Sequence, residues 1–170
     1  MRSQIKFRIN TYHTFPQSSN ILFDPYVSDA NLVTKLKGRF ESFKSMRKIE
    51  RNFKDFRLFN LQTQVKEIHS DLYLAQRRKD RVTMQRSLSD QLYSQLGSLP
   101  QLLAKIDQVN HLQARTFMTP DEKEWAQLTC RLVGKDQDGF LEQRMCVIER
   151  RFSDQVSFVD WRMCFYGPNY

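Results

Sequence analysis

Long apolar runs are missing from this 170-residue chain. No stretch approaches 18 consecutive apolar residues, so the sequence holds no candidate for a membrane-spanning helix. Glycine and proline are scarce, at five each, which leaves little room for long low-complexity linkers. Cysteine is scarcer still. Cys130, Cys146 and Cys164 are odd in number and have no close pair. That argues against a disulfide framework and for free thiols in a reducing compartment. The three histidines, His13, His69 and His111, stand at no metal-ligand spacing to one another or to a cysteine. No glycine-rich phosphate loop opens a helix. Paired acids occur only in polar connections: Glu122 and Glu124 beside Lys123, Asp136 and Asp138 in a turn. Neither pair sits where apolar surroundings would raise a carboxyl pKa for acid–base work. The cysteines read best as small buried hydrophobes, and no cofactor or metal is expected.

Positive charge is abundant, and it is one-sided. The chain carries a formal +8, and residues 1–57 hold 12 Lys/Arg against only 5 Asp/Glu. A basic N-terminal third thus precedes a nearly neutral body, which suggests an anionic partner surface. The first 23 residues contain no acid and several Ser and Thr, a composition like that of a mitochondrial targeting segment. Residues 1–27 otherwise read as an extended tail.

Within 28–54, Leu32, Leu36, Phe40, Phe43, Met46, Ile49 and then Phe53 and Phe56 recur every three or four residues. That spacing predicts a helix with one slowly drifting apolar stripe, capped by Ser28 or Asp29. Lys44, Arg47, Lys48 and Arg51 fall roughly opposite the stripe, Lys35 and Lys37 flank it, and Arg39 lies near its edge. Such a basic amphipathic helix suits nucleic acid, an anionic membrane or an acidic partner.

The remaining domain, 55–170, begins with helical spacing and ends with alternation. Leu58, Leu61, Val65, Ile68, Leu72 and Ala75 mark the clearest helix, a core-packing stripe. A basic elbow comes next at Arg77, Arg78, Lys79 and Arg81, with Asp80 as cap of a third helix through Val82, Leu88, Leu92 and Leu96 that stops at Gly97. From about Ile106 the period becomes two. Leu112, Ala114, Thr116 and Met118 share one face, as do Ala126, Leu128, Cys130 and Leu132. Cys146, Ile148 and Phe152 share another, and Val159, Trp161, Met163 and Phe165 a fourth. Helices first and strands after predict an α+β fold: a helical hairpin on the concave face of a curved four-stranded antiparallel sheet, preceded by the basic helix.

Four strings, in this order, carry a resemblance: "FDPYVSDANLVTKLKG" at 23–38, "FKDF" at 53–56, "AQRRKDRVTMQRSLSDQLY" at 75–93, and "VIERRF" at 147–152 with "WRM" at 161–163. The chain resembles, over about 23–165, the family of mitochondrial ribosomal large-subunit protein forty-five. Its members carry a domain like the C-terminal domain of the inner-membrane import-motor anchor, the Tim-forty-four-like family. The resemblance implies a cystatin-like α+β domain without catalytic activity, with "FKDF" opening the first domain helix. It implies a place on the mitochondrial large ribosomal subunit near the peptide exit and the inner membrane, in the matrix. Partners would be ribosomal RNA, neighbouring large-subunit proteins and the inner membrane or its insertion machinery, with no small-molecule substrate.

On this reading the basic face of the helix grips ribosomal RNA phosphate, and the Phe-rich stripe packs on the domain body or on neighbouring ribosomal protein. Lys44, Arg47, Lys48 and Arg51 are the first candidates for RNA contact; Lys35, Lys37, Arg39, Arg77, Arg78, Lys79 and Arg81 come next. Peripheral membrane contact is compatible with this. One alternative is an import-motor subunit or ribosome receptor at the inner membrane. Another is a small ligand-binding or enzymatic domain using the concave pocket, for which Asp107, His111 and Asp160 are the residues to inspect.

Overall fold

The computed structural model describes residues 18–23, 31–152 and 161–168. Its architecture is α+β, with four antiparallel strands in one meander sheet of order β1-β2-β3-β4: β1 Lys105–Met118, β2 Glu124–Lys135, β3 Leu141–Arg151 and β4 Arg162–Pro168. Four α-helices precede the sheet: α1 Leu32–Asn52, α2 Leu61–Arg78, α3 Arg81–Ser87 and α4 Asp90–Ser94. No described helix is long and apolar enough to cross a membrane.

The capping residue of α1 is Asn31, whose side chain accepts from the Thr34 backbone N–H at 2.9 Å. The helix thus starts later than expected, and Ser28 and Asp29 lie outside the described residues. "FKDF" closes α1 instead of opening the next helix. Phe53 is the C-cap, residues 54–55 turn, and a short 3-10 turn at Leu58–Asn60 leads into α2. Glu50 ties this corner: its carboxylate accepts from the Leu58 N–H at 2.8 Å and its carbonyl from Arg57 Nη1 at 2.7 Å.

The stripe of α2 packs as its spacing predicts, with Leu61, Val65, Leu72 and Ala75 buried; Leu58, before the helix, stays exposed. Lys79 adopts the left-handed conformation (φ 56°), ending α2, and Asp80 accepts from the N–H groups of Val82 and Thr83 to start α3. The expected third helix is broken in two. Leu88 bridges to Met163, and the Ser89 N–H donates to the Met163 carbonyl at 2.9 Å, so this stretch of backbone serves β4 instead of a helix. Ser89 then caps α4 through the Leu92 N–H. Val82 is exposed, and Gly97 lies inside a 3-10 turn, not at a left-handed helix stop.

Cross-strand pairing assigns the sheet faces. Ala114, Leu128, Ile148 and Met163 align across all four strands and face the helices, as do Cys130 and Cys146 with Tyr166. Three register shifts alter the expected alternation. An extra residue at Asp107, at Leu112 and at Cys164 re-aims the side chains beyond it. His111, not Leu112, therefore sits opposite Cys130, and Phe165 pairs with Val147 on the face away from Met163. Met118 is exposed. Gly134 sits where β1 begins: a Cβ there would stand 2.1 Å from the Lys105 carbonyl oxygen, so only glycine admits this approach.

The second sheet face is crossed by residues 18–23. Ser18 and Ser19 donate through their hydroxyls to the buried Glu149 carboxylate at 2.6 and 2.5 Å. The Ile21 carbonyl accepts from Gln127, and Phe23 packs edge-on to Phe117 at 5.0 Å under the Arg115 guanidinium. Val159 lies outside the described residues.

The core and the exposed part of α1 separate cleanly, and stability should report it. Ile49→Ala should cost about 2–5 kcal/mol in urea unfolding, as for a fully buried aliphatic. Phe43→Ala, on the exposed part of the same helix, should stay within about 0.5 kcal/mol. Equal losses would contradict this placement.

Candidate functional site

The candidate site is the outer face of α1, and its origin is steric. The helix packs on β1 through small and late-stripe residues. Ser42 and Ser45 are half-buried, Met46 and Ile49 fully so, and Ser42 Oγ accepts from the Ala114 N–H of β1 at 2.8 Å; a Cβ at Gly38 would meet nothing within 4 Å. With those positions inward, helical geometry turns Leu32, Leu36, Phe40 and Phe43 to the opposite side. Phe40 and Phe43 are 58% and 60% exposed. The expected single drifting stripe is thus two stripes, and only its C-terminal half meets the domain body.

The outward aromatics are interleaved with cations. Lys44 Nζ lies 4.5 Å from the Phe40 ring centroid, and the Arg47 guanidinium 5.7 Å from Phe43. Lys35, Lys37, Arg39 and Arg51 are exposed on the same helix. Lys48 differs: it pairs with Glu124 at the start of β2 and lies 5.7 Å from the Phe152 ring. That ion pair occupies one of the four first-choice cations. The elbow cations Arg77, Arg78, Lys79 and Arg81 are exposed together at the α2–α3 turn, with Arg77 against the Tyr73 ring. Among the described residues, the face of α1 carries only Glu41 and Glu50 as acids, and Glu50 is committed to the corner after the helix.

Among the described residues, those inspected for pocket chemistry are each held in a setting of their own. Asp107 sits at a β1 bulge, ion-paired to Lys105 at 3.1 Å, with its carbonyl accepting from Lys66. His111 is half-buried opposite Cys130, and burial lowers its pKa. Asp160 lies outside the described residues. Glu124 is used by Lys48, and Asp136 organises the β2–β3 turn by accepting from the N–H groups of Asp138 and Phe140. Cys130 and Cys146 face each other across β2 and β3, both buried, and the neighbouring sulfur together with desolvation pushes the Cys146 thiol well up. Cys164 sits in the β4 bulge with its Sγ 3.4 Å from the Val147 carbonyl. Among the described residues no three His, Cys, Asp or Glu side chains form a metal cluster.

The outward turn of Leu32, Leu36, Phe40 and Phe43 was the feature sequence reasoning missed. Its signal was present: Ser42 and Ser45 stand three residues apart, in line with Met46 and Ile49 and beside the apolar line. The sequence matches no protein-family model and no curated protein.

Burial of His69 links this fold to pH. Desolvation lowers its pKa from 6.5 to about 4, so the native state holds it neutral while the unfolded chain protonates it below 6.5. Stability contributed by the neutral imidazole is complete above about pH 6.5 and is lost as pH falls toward 4, by about 3 kcal/mol in the limit. His111 acts in the same direction. Thermal melts between pH 7.5 and 5 should show a falling Tm, and His69→Leu should flatten that slope. An unchanged slope in the variant would remove His69 from this account.

Proposed function

We propose that this chain is a non-catalytic structural subunit of the mitochondrial large ribosomal subunit, docked near the peptide exit and held at the inner membrane. The finer description of the fold, a cystatin-like domain of the Tim-forty-four-like kind, belongs to the same proposal. The observation that carries it is the outward face of α1, where exposed cations alternate with exposed aromatics. The ordered resemblance over 23–165 supports the ribosomal context. Cations on a rigid helix neutralise phosphates, and aromatic rings between them stack on or wedge against neighbouring groups. Lys44 and Arg47 lead this contact with Lys37, Lys35, Arg39 and Arg51. Lys48 contributes less because Glu124 already holds it. The elbow cations Arg77, Arg78, Lys79 and Arg81 form a second phosphate contact.

One observation favours the alternative of a peripheral inner-membrane protein, an import-motor subunit or ribosome receptor. The exposed apolar line Leu32, Leu36, Phe40 and Phe43 continues beyond the aromatics. An anionic leaflet would accept that line in its interface and attract the cations at roughly 1 kcal/mol each.

Sucrose-gradient sedimentation of solubilised mitochondria at low and high salt separates the two. Co-migration with the large ribosomal subunit in both conditions is expected, and K44E/R47E/R51E should move the protein to light fractions. Migration with membrane complexes, or full ribosome association of the triple variant, would overturn the ribosomal assignment. In parallel, Phe40→Ser with Phe43→Ser should weaken flotation with cardiolipin vesicles if the membrane contact uses this face.

A further inference from the structure

Rings and cations on the outward face of α1 are mixed in a way that selects among anionic partners. At roughly 3.6 residues per turn, Arg47 projects about 20° from Phe40 and about 40° from Phe43. Arg51 projects about 20° from Phe40 on its other side, and Lys44 about 40°. The exposed Val33 and Leu36 share this sector. Within about 60° of Phe40, α1 carries only apolar and basic side chains. Cations therefore stand in the middle of the exposed apolar face, not along its borders. The opposite side of the helix is committed to the core through Met46 and Ile49.

This mixture argues against a leaflet. A helix lying in a membrane interface immerses an apolar face and turns a charged one to water. Immersing Phe40 and Phe43 would carry Arg47 and Arg51 down with them. A duplex fits poorly as well. A-form RNA offers side chains its phosphate ridges and a shallow minor groove displaying 2′-hydroxyls. The ridges would press phosphate against the rings, and the sector holds no hydroxyl or amide side chain for the groove. An unpaired strand satisfies both kinds of residue. Its bases stack on rings while its backbone follows the cations. Phe40 and Phe43 each have a cation near the ring, Lys44 at 4.5 Å and Arg47 at 5.7 Å, and both stay largely exposed.

We propose that the outward face of α1 takes an unpaired RNA segment, with bases stacked on Phe40 and Phe43 and adjoining phosphates held by Lys44, Arg47 and Arg51. This deepens, and rests on, the reading of that face as an RNA contact.

Fluorescence anisotropy with the full chain tests it, comparing an unstructured RNA of about 12 nucleotides, alternating C and A, with the RNA duplex of the same length. The single strand should bind roughly tenfold tighter, although the duplex carries twice the phosphate. F40A/F43A, at exposed positions, should lower single-strand affinity roughly tenfold or more and leave its salt dependence unchanged. F40W/F43W should keep the native affinity. F40L/F43L should lose it as the alanine pair does, because leucine supplies apolar surface without a stacking plane. K44E/R47E/R51E should weaken both RNAs and flatten the single-strand slope of log K against log salt by about 2. A duplex bound as tightly as the strand, or a leucine pair that binds like the native protein, would overturn the unpaired-strand proposal and leave an RNA contact standing. Failure of both RNAs to bind, or native strength and slope in the triple charge variant, would overturn the RNA reading of this face and the proposal with it. Flotation with cardiolipin-containing vesicles in place of RNA binding would assign the face to a membrane and overturn both.

Discussion

Four aromatic rings at one corner hold the helical layer to the sheet. Phe53 stacks on Phe152 at 4.8 Å and meets Trp161 edge-on at 5.6 Å, while Phe56 packs on Trp161 at 5.1 Å. Phe53 and Phe56 come from the turn that ends α1; Phe152 and Trp161 flank the connection between β3 and β4. The Arg150 guanidinium lies 4.3 Å from the Phe53 ring and binds Asp55, sealing the outer side. Aromatic burial of this kind contributes large apolar area together with preferred ring geometry. It fixes where α1 stops, how α2 departs, and how the sheet closes against both.

The same corner explains the two characters of α1. Anchored at its C-terminal end by Met46, Ile49 and Phe53, the helix runs along β1 and approaches it through Ser42 and Ser45. Small residues permit a close approach, and a close approach leaves no room for Phe40 or Phe43 on that side. The aromatics face outward beside Lys44 and Arg47. Met46 and Ile49 go to the core, and the rest of the apolar set shares the outer face with the cations.

Much of the fold was legible before any coordinates. The α2 stripe, the Asp80 cap and the core faces of β2 and β3 come from spacing alone, since each lies in a regular stretch where one period holds throughout. The errors cluster where regularity fails. Leu112 and Cys164 are each an extra residue in a strand, and one extra residue reverses the face of every side chain after it. Leu88 and Ser89 look helical in sequence but bond to Met163, a partner more than 70 positions away. For the candidate site, the basic residues were identifiable, but their free or committed state was not. Nothing local to Lys48 announces Glu124.

By itself, then, the sequence determined the class of fold, the order of its elements, the basic character of the N-terminal third and the residues that must be buried somewhere. These are local properties, set by periodicity, capping and charge. Tertiary structure alone decided which side of α1 faces water, where the strands bulge, and which cations are already held by an acid. Each of those depends on which distant segment wins the contact. That choice comes from the packing of whole layers, with side-chain volume at one position deciding exposure at another.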